Sequence, residues 1–224
     1  WEADDQIAQV LRAILLSDEF KTSWGDKMKR PAAATVGVLR ALRADLMLKP
    51  DNTSVWTTSE EIIYRMQQAG HRLFYWPAPN GYPDTSTAWS STGAMGMTMK
   101  LLPRLLEMHQ DASDSQSPFI ADVQAQTLAA FPAAADRTAA NIVGYWCQRI
   151  LGYAPDPTHA VAVDFLRQNA AATDPLDLVT DHYTNGLPDH TGVWNGSNLS
   201  QHYTIARLRT AIALVLCGPE FLRR

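Results

Sequence analysis

Cysteine is scarce in this chain, and its spacing excludes the common thiol-based sites. Cys147 and Cys217 are the two cysteines among 224 residues, and they form neither the CxxC pair of redox enzymes nor the ligand spacing of a zinc finger. Both fall in segments with helical periodicity, so the sequence predicts buried thiols that pack as small hydrophobic groups. A single disulfide between them is the alternative.

Long apolar runs and a strong excess of one charge are also missing. No window approaches the roughly 18 consecutive apolar residues that cross a bilayer, so no membrane span is predicted. Charged residues make up 19% of the chain and the formal net charge is -4. Nucleic acid is a poor partner for such a chain, because a phosphate-backbone binder normally carries a basic face. The one basic cluster, Lys21, Lys27, Lys29 and Arg30, is interpreted as a solvated helix end.

Strand patterns are absent as well, since no run alternates apolar and polar residues with a period of two. Apolar residues recur instead at helical spacing, as in the stripe formed by Ile7, Val10, Leu11, Ile14 and Leu15. A chain of this length can bury about 70% of its unfolded surface, which is enough for a substantial core. We therefore predict an all-α fold, an irregular multi-helix bundle with two long ordered loops at residues 73–89 and 181–198.

Capping residues and prolines predict where helices begin. Thr58 to Glu61 has the spacing of a capping box. Ser117, Asp156 and Asp174 each precede a proline, a pattern typical of helix entry. We expect three further helices after these dipeptides.

The organisation of the chain is predicted to be bipartite. Residues 110–117 are polar and small, which indicates a linker between a helical region 1–109 and a helical region 118–224. We expect the two regions to pack together as one domain. An apolar helix followed by a small residue, an acid and Phe occurs both before Phe20 and before Phe221. A short internal duplication is one interpretation, and chance similarity of two helices is the other.

The most unusual segment is residues 73–89, here called the aromatic loop, which combines aromatic side chains with prolines. Sugars bind to such mixtures, because pyranose rings have apolar faces that pack on aromatic rings and hydroxyls that need fixed partners. The alternative is a structural clasp, in which prolines stiffen the loop and the aromatic rings are buried over the helices. The candidate ligand-binding residues are His71, Arg72, Trp76, Asn80, Tyr82, Asp84 and Trp89.

A metal site is a weaker alternative, formed by His182, Asp189 and His190 with Asp181, His159 and His202 nearby. Histidine and carboxylate ligands suit zinc or a similar ion. Their spacing matches no recognised signature, and each Asp could equally cap a turn. No cofactor is assigned from the sequence.

Motifs of common enzymes are missing. Ser90, Ser91 and Ser197 lack the G-x-S-x-G elbow of hydrolases. Gly93 and Gly96 do not form a phosphate-binding loop, because they lie within a helical pattern and not in a strand-to-helix turn. We interpret these glycines as positions where a helix packs closely against a neighbour.

Several segments together carry a family resemblance: 11–20, 29–31, 38–42, 70–74, the aromatic loop and 216–221. In this combination they resemble the bacterial family known as domain of unknown function 1800. The resemblance implies a bacterial origin and often an exported protein, periplasmic or extracellular, and it brings no established activity, substrate or catalytic residue. Family members are typically longer, and this chain begins at Trp1, so we expect it to be a C-terminal portion whose N-terminal half is missing.

Two functions are compatible with this sequence. The first is binding or assembly at the cell envelope through the aromatic loop, with a polysaccharide, an envelope protein or the N-terminal half of the same protein as partner. The second is part of a hydrolase acting on an extracellular polymer, with Asp84, His71 or the segment 181–190 contributing to a shared cleft. The first is favoured, because no compact set of acid, base and nucleophile is present. A region that serves only as a scaffold is a third interpretation.

Overall fold

A computed structural model describes residues 5–23, 25–47, 57–114, 116–168, 170–179 and 204–223. The prediction of an all-α fold is confirmed, and no β-strand forms within these ranges, only isolated bridges. The predicted loop 181–198 lies outside the described residues. The helices are α1 (Gln6–Leu16), α2 (Asp18–Thr22), α3 (Pro31–Ala41), α4 (Thr58–Gln68), α5 (Ser86–Trp89), α6 (Thr92–Arg104), α7 (Val123–Ala130), α8 (Ala139–Leu151), α9 (Asp156–Arg167), α10 (Thr204–Cys217) and α11 (Pro219–Leu222).

The core is built where α10 packs against α6, α8 and α9. Helix α8 shows how the sequence specifies one of these elements. Thr138 caps its first turn by accepting a hydrogen bond from the backbone N–H of Asn141, and Gly152 ends it with a left-handed φ of 83°. Its inner face is buried at Val143, Trp146 and Cys147, and Trp146 donates its indole N–H to the hydroxyl of Thr127 at 3.0 Å. The indole N–H of this buried tryptophan thus has a hydrogen-bond partner.

The buried core is continuous across the polar segment 110–117. It contains Leu42 and Leu102 from the first part of the chain and Trp146 and Leu208 from the second. Around the polar segment, His109 and Phe119 form an antiparallel bridge that closes it as a short loop.

Both cysteines are free thiols. Cys147 is fully buried, and this burial, with a smaller contribution from Glu220, raises the pKa of its thiol to about 11. Burial also raises the pKa of Cys217. Because the thiolate is the reactive form, neither residue is an activated nucleophile.

The predicted capping box is displaced by one residue. Thr57, and not Thr58, accepts the hydrogen bond from the backbone N–H of Glu60, whose carboxylate accepts from the backbone N–H of Thr57 at 3.0 Å. The hydroxyl of Thr58 donates instead to the carbonyl of His109 at 2.6 Å. Thr57 and Thr58 each have a glutamate three residues later, so the local sequence is compatible with a capping box that starts at either threonine. The bond to His109 uses the hydroxyl of Thr58, and Thr57 forms the box.

Two of the three helix starts predicted at prolines are wrong. Ser117 precedes an extended segment, and the next helix, α7, is capped by Asp122 instead. Asp174 closes a turn by accepting the backbone N–H of Ala171. Such side chains bond to turns as readily as to helix ends, and a capping residue alone supplies no apolar face to bury. The prediction at Asp156 is confirmed, because α9 begins there.

The repeated pattern before Phe20 and Phe221 has the same backbone geometry but different burial. Ser17 and Gly218, the residues between the paired helices, have nearly equal dihedrals: φ -65° and ψ 151°, against φ -68° and ψ 154°. Phe221 is only 2% exposed and its ring lies near Gly37, whereas Phe20 is 51% exposed. Helix α1 likewise forms as predicted but buries none of its residues.

Candidate functional site

The aromatic loop leaves α4 in a fixed direction. Gly70, just after the helix, adopts a left-handed φ of 86°, a conformation that glycine adopts without strain. The backbone N–H groups of Gly70 and His71 donate to the carbonyls of Gln67 and Met66, both at 2.9 Å. These bonds satisfy carbonyl groups at the helix end and place His71 at the start of the loop.

Three rings of the loop, Trp76, Tyr82 and Trp89, form one cluster with His71, which lies just before the loop. His71 lies 4.5 Å from Tyr82 and 5.3 Å from Trp89, measured between ring centroids. Tyr82 lies 4.7 Å from Trp76 and 5.8 Å from Trp89. All pairs are tilted, the arrangement that aromatic rings prefer over a face-to-face sandwich. Trp89 is the inner member of the cluster and is only 6% exposed.

Polar groups of the inner rings are used to close the loop on itself. The hydroxyl of Tyr82 donates to the carbonyl of Arg72. The indole N–H of Trp89 donates to the carbonyl of Pro83 at 2.9 Å. Each ring thus holds together two segments that are separated in sequence. Tyr82 and Trp89 therefore act as the structural clasp that was the alternative to a ligand-binding role.

A second set of contacts fixes the loop to the segment before α3. The Asp84 carboxylate accepts from Lys27 at 2.7 Å and pairs with Arg30 at 3.3 Å. The hydroxyl of Ser86 donates to the carbonyl of Asp26 at 2.6 Å. The interpretation of Lys27 and Arg30 as a solvated helix end is therefore wrong. Their partner lies more than fifty residues away in sequence, and no local pattern identifies it.

His71 is buried in this clasp in its neutral form. Its Nδ1 accepts a hydrogen bond from the backbone N–H of Ala32 at 3.3 Å. Burial lowers the pKa of His71, and the nearby positive charge of Arg30 lowers it further. These contacts give His71 and Asp84 structural partners, and they do not favour the enzyme hypothesis.

The outer part of the loop, in contrast, presents aromatic rings to solvent. Phe74 is fully exposed, Tyr75 is 65% exposed and Trp76 is 40% exposed. Phe74 also has a φ of 59°, a left-handed conformation that is rare for a bulky residue. The Arg72 guanidinium stacks over the Tyr75 ring at 3.8 Å. Sequence reasoning missed Phe74, because nothing in the local pattern separates an exposed aromatic residue from a buried one.

A cleft of about 380 Å³ opens beside Trp76, between the end of α4 and the beginning of α6. Its wall includes Gln68, Gly70, Trp76, Trp89, Ser91 and Gly93. Gly93 and Gly96 were predicted to sit against a neighbouring helix, and this is wrong. A Cβ atom added at either glycine would meet no heavy atom within 4 Å. At Gly93 the missing side chain leaves space in the cleft.

The profile of one family, Protein of unknown function (DUF1800), matches residues 1–223. The chain belongs to this family. No curated protein and no solved structure matches it. Membership of DUF1800 confirms the resemblance seen in the sequence and assigns no activity.

In this DUF1800 chain, the loop brings all seven candidate residues into one region, with different roles. Trp76 and Trp89 line the cleft, and Asn80 accepts the indole N–H of Trp76 at 3.3 Å. The other candidates make the internal contacts described above. The metal candidates His182, Asp189 and His190 lie outside the described residues. Within the described part of the chain, no group of three or more His, Cys, Asp or Glu side chains is placed to hold a metal ion.

Proposed function

We propose that this DUF1800 protein binds polysaccharide at the bacterial cell envelope, with the aromatic loop as its contact surface. The observation that carries the proposal is the half-exposed Trp76 ring at the edge of the 380 Å³ cleft. The exposed side chains of Gln68 and Ser91 lie at the same cleft. Amide and hydroxyl groups beside a flat ring are the combination that a pyranose requires.

The clasp supports this proposal by holding the ring in place before any ligand arrives. Trp76 rests on Tyr82, and its indole N–H is fixed by Asn80. A binding surface that is already ordered loses less conformational entropy when the ligand binds. The left-handed backbone at Phe74 costs about 1 to 3 kcal/mol, and strain of this size is typical of functional segments.

Placement at the envelope, as an exported protein, is part of the proposal and rests on the family resemblance. No helix in the described ranges has the length and apolarity that a membrane span requires. Fractionation of the source bacterium, with an antibody against this chain, tests the placement. Recovery in the cytoplasmic fraction alone would contradict it.

Glycan binding is tested with an array of cell-envelope polysaccharide fragments, followed by titration calorimetry on those that bind. We expect Trp76→Ala to weaken binding at least tenfold while the melting temperature stays within a few degrees, because its ring is already partly in water. Phe165→Ala is the matched control, since Phe165 is also 40% exposed and lies on α9. Equal affinity of both variants for the glycan would contradict the proposal.

A second pair of variants tests the cleft without removing any aromatic ring. Gly93→Met places a flexible side chain in the cleft, and Gly96→Met places one on the same helix outside the cleft wall. We expect the first variant to lose glycan binding and the second to keep it. Replacing a helical glycine also raises helix propensity, so neither variant should be less stable.

If the aromatic loop binds an envelope protein and no glycan, the polysaccharide assignment is overturned.

A further inference from the structure

A second cleft, of about 420 Å³, lies on another part of the molecule. It opens between the start of α4, the turn that follows α6 and the middle of α10. Its wall includes Glu61, Arg104, Glu107, Asp111, Phe119 and Arg209. We call it the Arg209 cleft, and none of its residues belongs to the aromatic loop.

Arg209 has few partners among the residues that the structure describes. Its guanidinium stacks on the ring of Phe119 at 4.1 Å. Its Nε is buried without a hydrogen-bond partner, and no ion pair to the guanidinium forms within the described ranges. Burial lowers the pKa of Arg209, while the charges of Glu107 and Asp122 act in the opposite direction. A guanidinium that is always charged and poorly paired is costly to bury, and an oxyanion would offset that cost.

The Phe119 ring on which Arg209 lies is held in place by contacts of the segment 109–119. The rings of Phe119 and His109 stack with centroids 4.3 Å apart. The backbone N–H of Gln110 donates to the carbonyl of Pro118 at 2.7 Å, and Thr58 donates its hydroxyl to the carbonyl of His109. The first bond joins the two arms of the 109–119 segment, and the second fixes this segment to the start of α4. The guanidinium therefore lies on a surface that is formed in the absence of a ligand.

Negative charge lies around the outer part of the same cleft. Glu61 is mostly buried and is neutralised by ion pairs with arginines, including Arg104 at 3.7 Å. Glu107 is half exposed and lies 3.8 Å from Arg104. The Asp111 carboxylate accepts hydrogen bonds from the hydroxyl and the backbone N–H of Ser113, and these bonds lower its pKa. Glu107 and Asp111 thus supply anionic acceptors in the same cleft as the Arg209 guanidinium.

We propose that the Arg209 cleft binds a small zwitterion, with the carboxylate of the ligand on Arg209 and its ammonium group near Glu107 and Asp111. A ligand with an anion alone would be repelled by the two acids, and a ligand with a cation alone would be repelled by Arg209. Free amino acids and the ends of short peptides have the required chemistry. A cleft of this volume accommodates ligands of that size.

The test is a calorimetric and NMR titration of the protein with a panel of simple probes. The panel contains acetate, propylamine and the ω-amino acids glycine, β-alanine, 4-aminobutyrate and 5-aminopentanoate, in which the two charges lie progressively further apart. We expect at least one of these zwitterions to bind tenfold or more tightly than either acetate or propylamine. Absence of binding by the whole panel, or acetate binding as tightly as the best zwitterion, would overturn the proposal.

Variants then assign the two ends of the ligand. Arg209→Gln should weaken binding of the best zwitterion at least tenfold, and Arg40→Gln, at an exposed position on α3, should leave it unchanged. Glu107→Gln removes an exposed charge with little risk to folding, so this variant tests the proposal if Arg209→Gln does not fold. Glu107→Gln should weaken binding of the zwitterion and strengthen binding of acetate. Zwitterion binding that is unchanged in either cleft variant would overturn the proposal.

Discussion

At the scale of single residues, burial separates side chains that the sequence makes look alike. Phe20 and Phe221 follow the same pattern and the same backbone turn, yet one lies in solvent and the other in the core. Trp76 and Trp89 belong to the same loop, yet one lies at its surface and the other at its base. The consequences for stability therefore differ within each pair.

The phenylalanine pair gives a direct test of this difference. Phe221→Ala should lower the free energy of unfolding by about 3 to 5 kcal/mol, since it removes a large side chain from a packed site. Phe20→Ala should change it by less than about 0.5 kcal/mol, as is usual for exposed positions. Urea denaturation of both variants provides the measurement. A loss at Phe20 as large as that at Phe221 would contradict the burial seen in the structure.

His71 makes stability depend on pH in a predictable direction. Its pKa is lower in the folded protein than the value near 6.5 expected in the unfolded chain. As the pH falls below about 6.5, the unfolded chain therefore gains a proton on His71 that the folded protein does not accept. The free energy of unfolding should fall with pH until the folded pKa is passed.

The comparison with His71→Asn isolates this contribution. The amide oxygen of asparagine is attached at the same distance from Cβ as Nδ1, so it retains an acceptor for the backbone N–H of Ala32, and it does not titrate in this range. Denaturation curves between pH 5 and 7.5 should show a smaller dependence on pH for the variant than for the original protein. Equal slopes would show that His71 carries the same pKa in both states.

At the scale of structural elements, the aromatic loop combines a buried base with an exposed rim. At the base, Trp89, the last residue of α5, is bonded to the carbonyl of Pro83. Asp84 and Ser86 connect the base to the segment before α3. Trp89→Ala should destabilise the protein by about 3 to 5 kcal/mol, because it empties the inner position of the ring cluster. Trp76→Ala should cost less than about 1 kcal/mol. Thermal and urea unfolding of the two variants tests this assignment, and similar losses for both would contradict the division into base and rim.

The predictable elements are those in which local pattern and tertiary packing agree. Helix α8 has an apolar face, a threonine cap and a terminal glycine, all of them local features, and tertiary packing buries that face. The ion pairs of Asp84 and the hydrogen bond of Thr58 connect segments about fifty residues apart, and neither leaves a trace in the local sequence. Helix formation in α1 follows from its periodicity, whereas its lack of buried residues depends on the surrounding fold.

At the scale of the whole molecule, two clefts of similar volume lie on one helical body and differ in character. The cleft beside the aromatic loop is walled by rings, glycines and uncharged polar groups, which favours a sugar. The Arg209 cleft is walled by charges of both signs, which favours a zwitterion. The two proposals are independent, because no residue is shared between the two walls.

The central claim is that the clasp holds Trp76 in position to receive a glycan. It is tested most directly by following the indole N–H signals of the protein labelled with ¹⁵N-tryptophan during titration with a glycan that binds on the array. The signal of Trp76, assigned with Trp76→Phe, should shift progressively with ligand, while that of the core residue Trp146 should stay in place. Saturable binding of the glycan with no change at Trp76 would contradict the account.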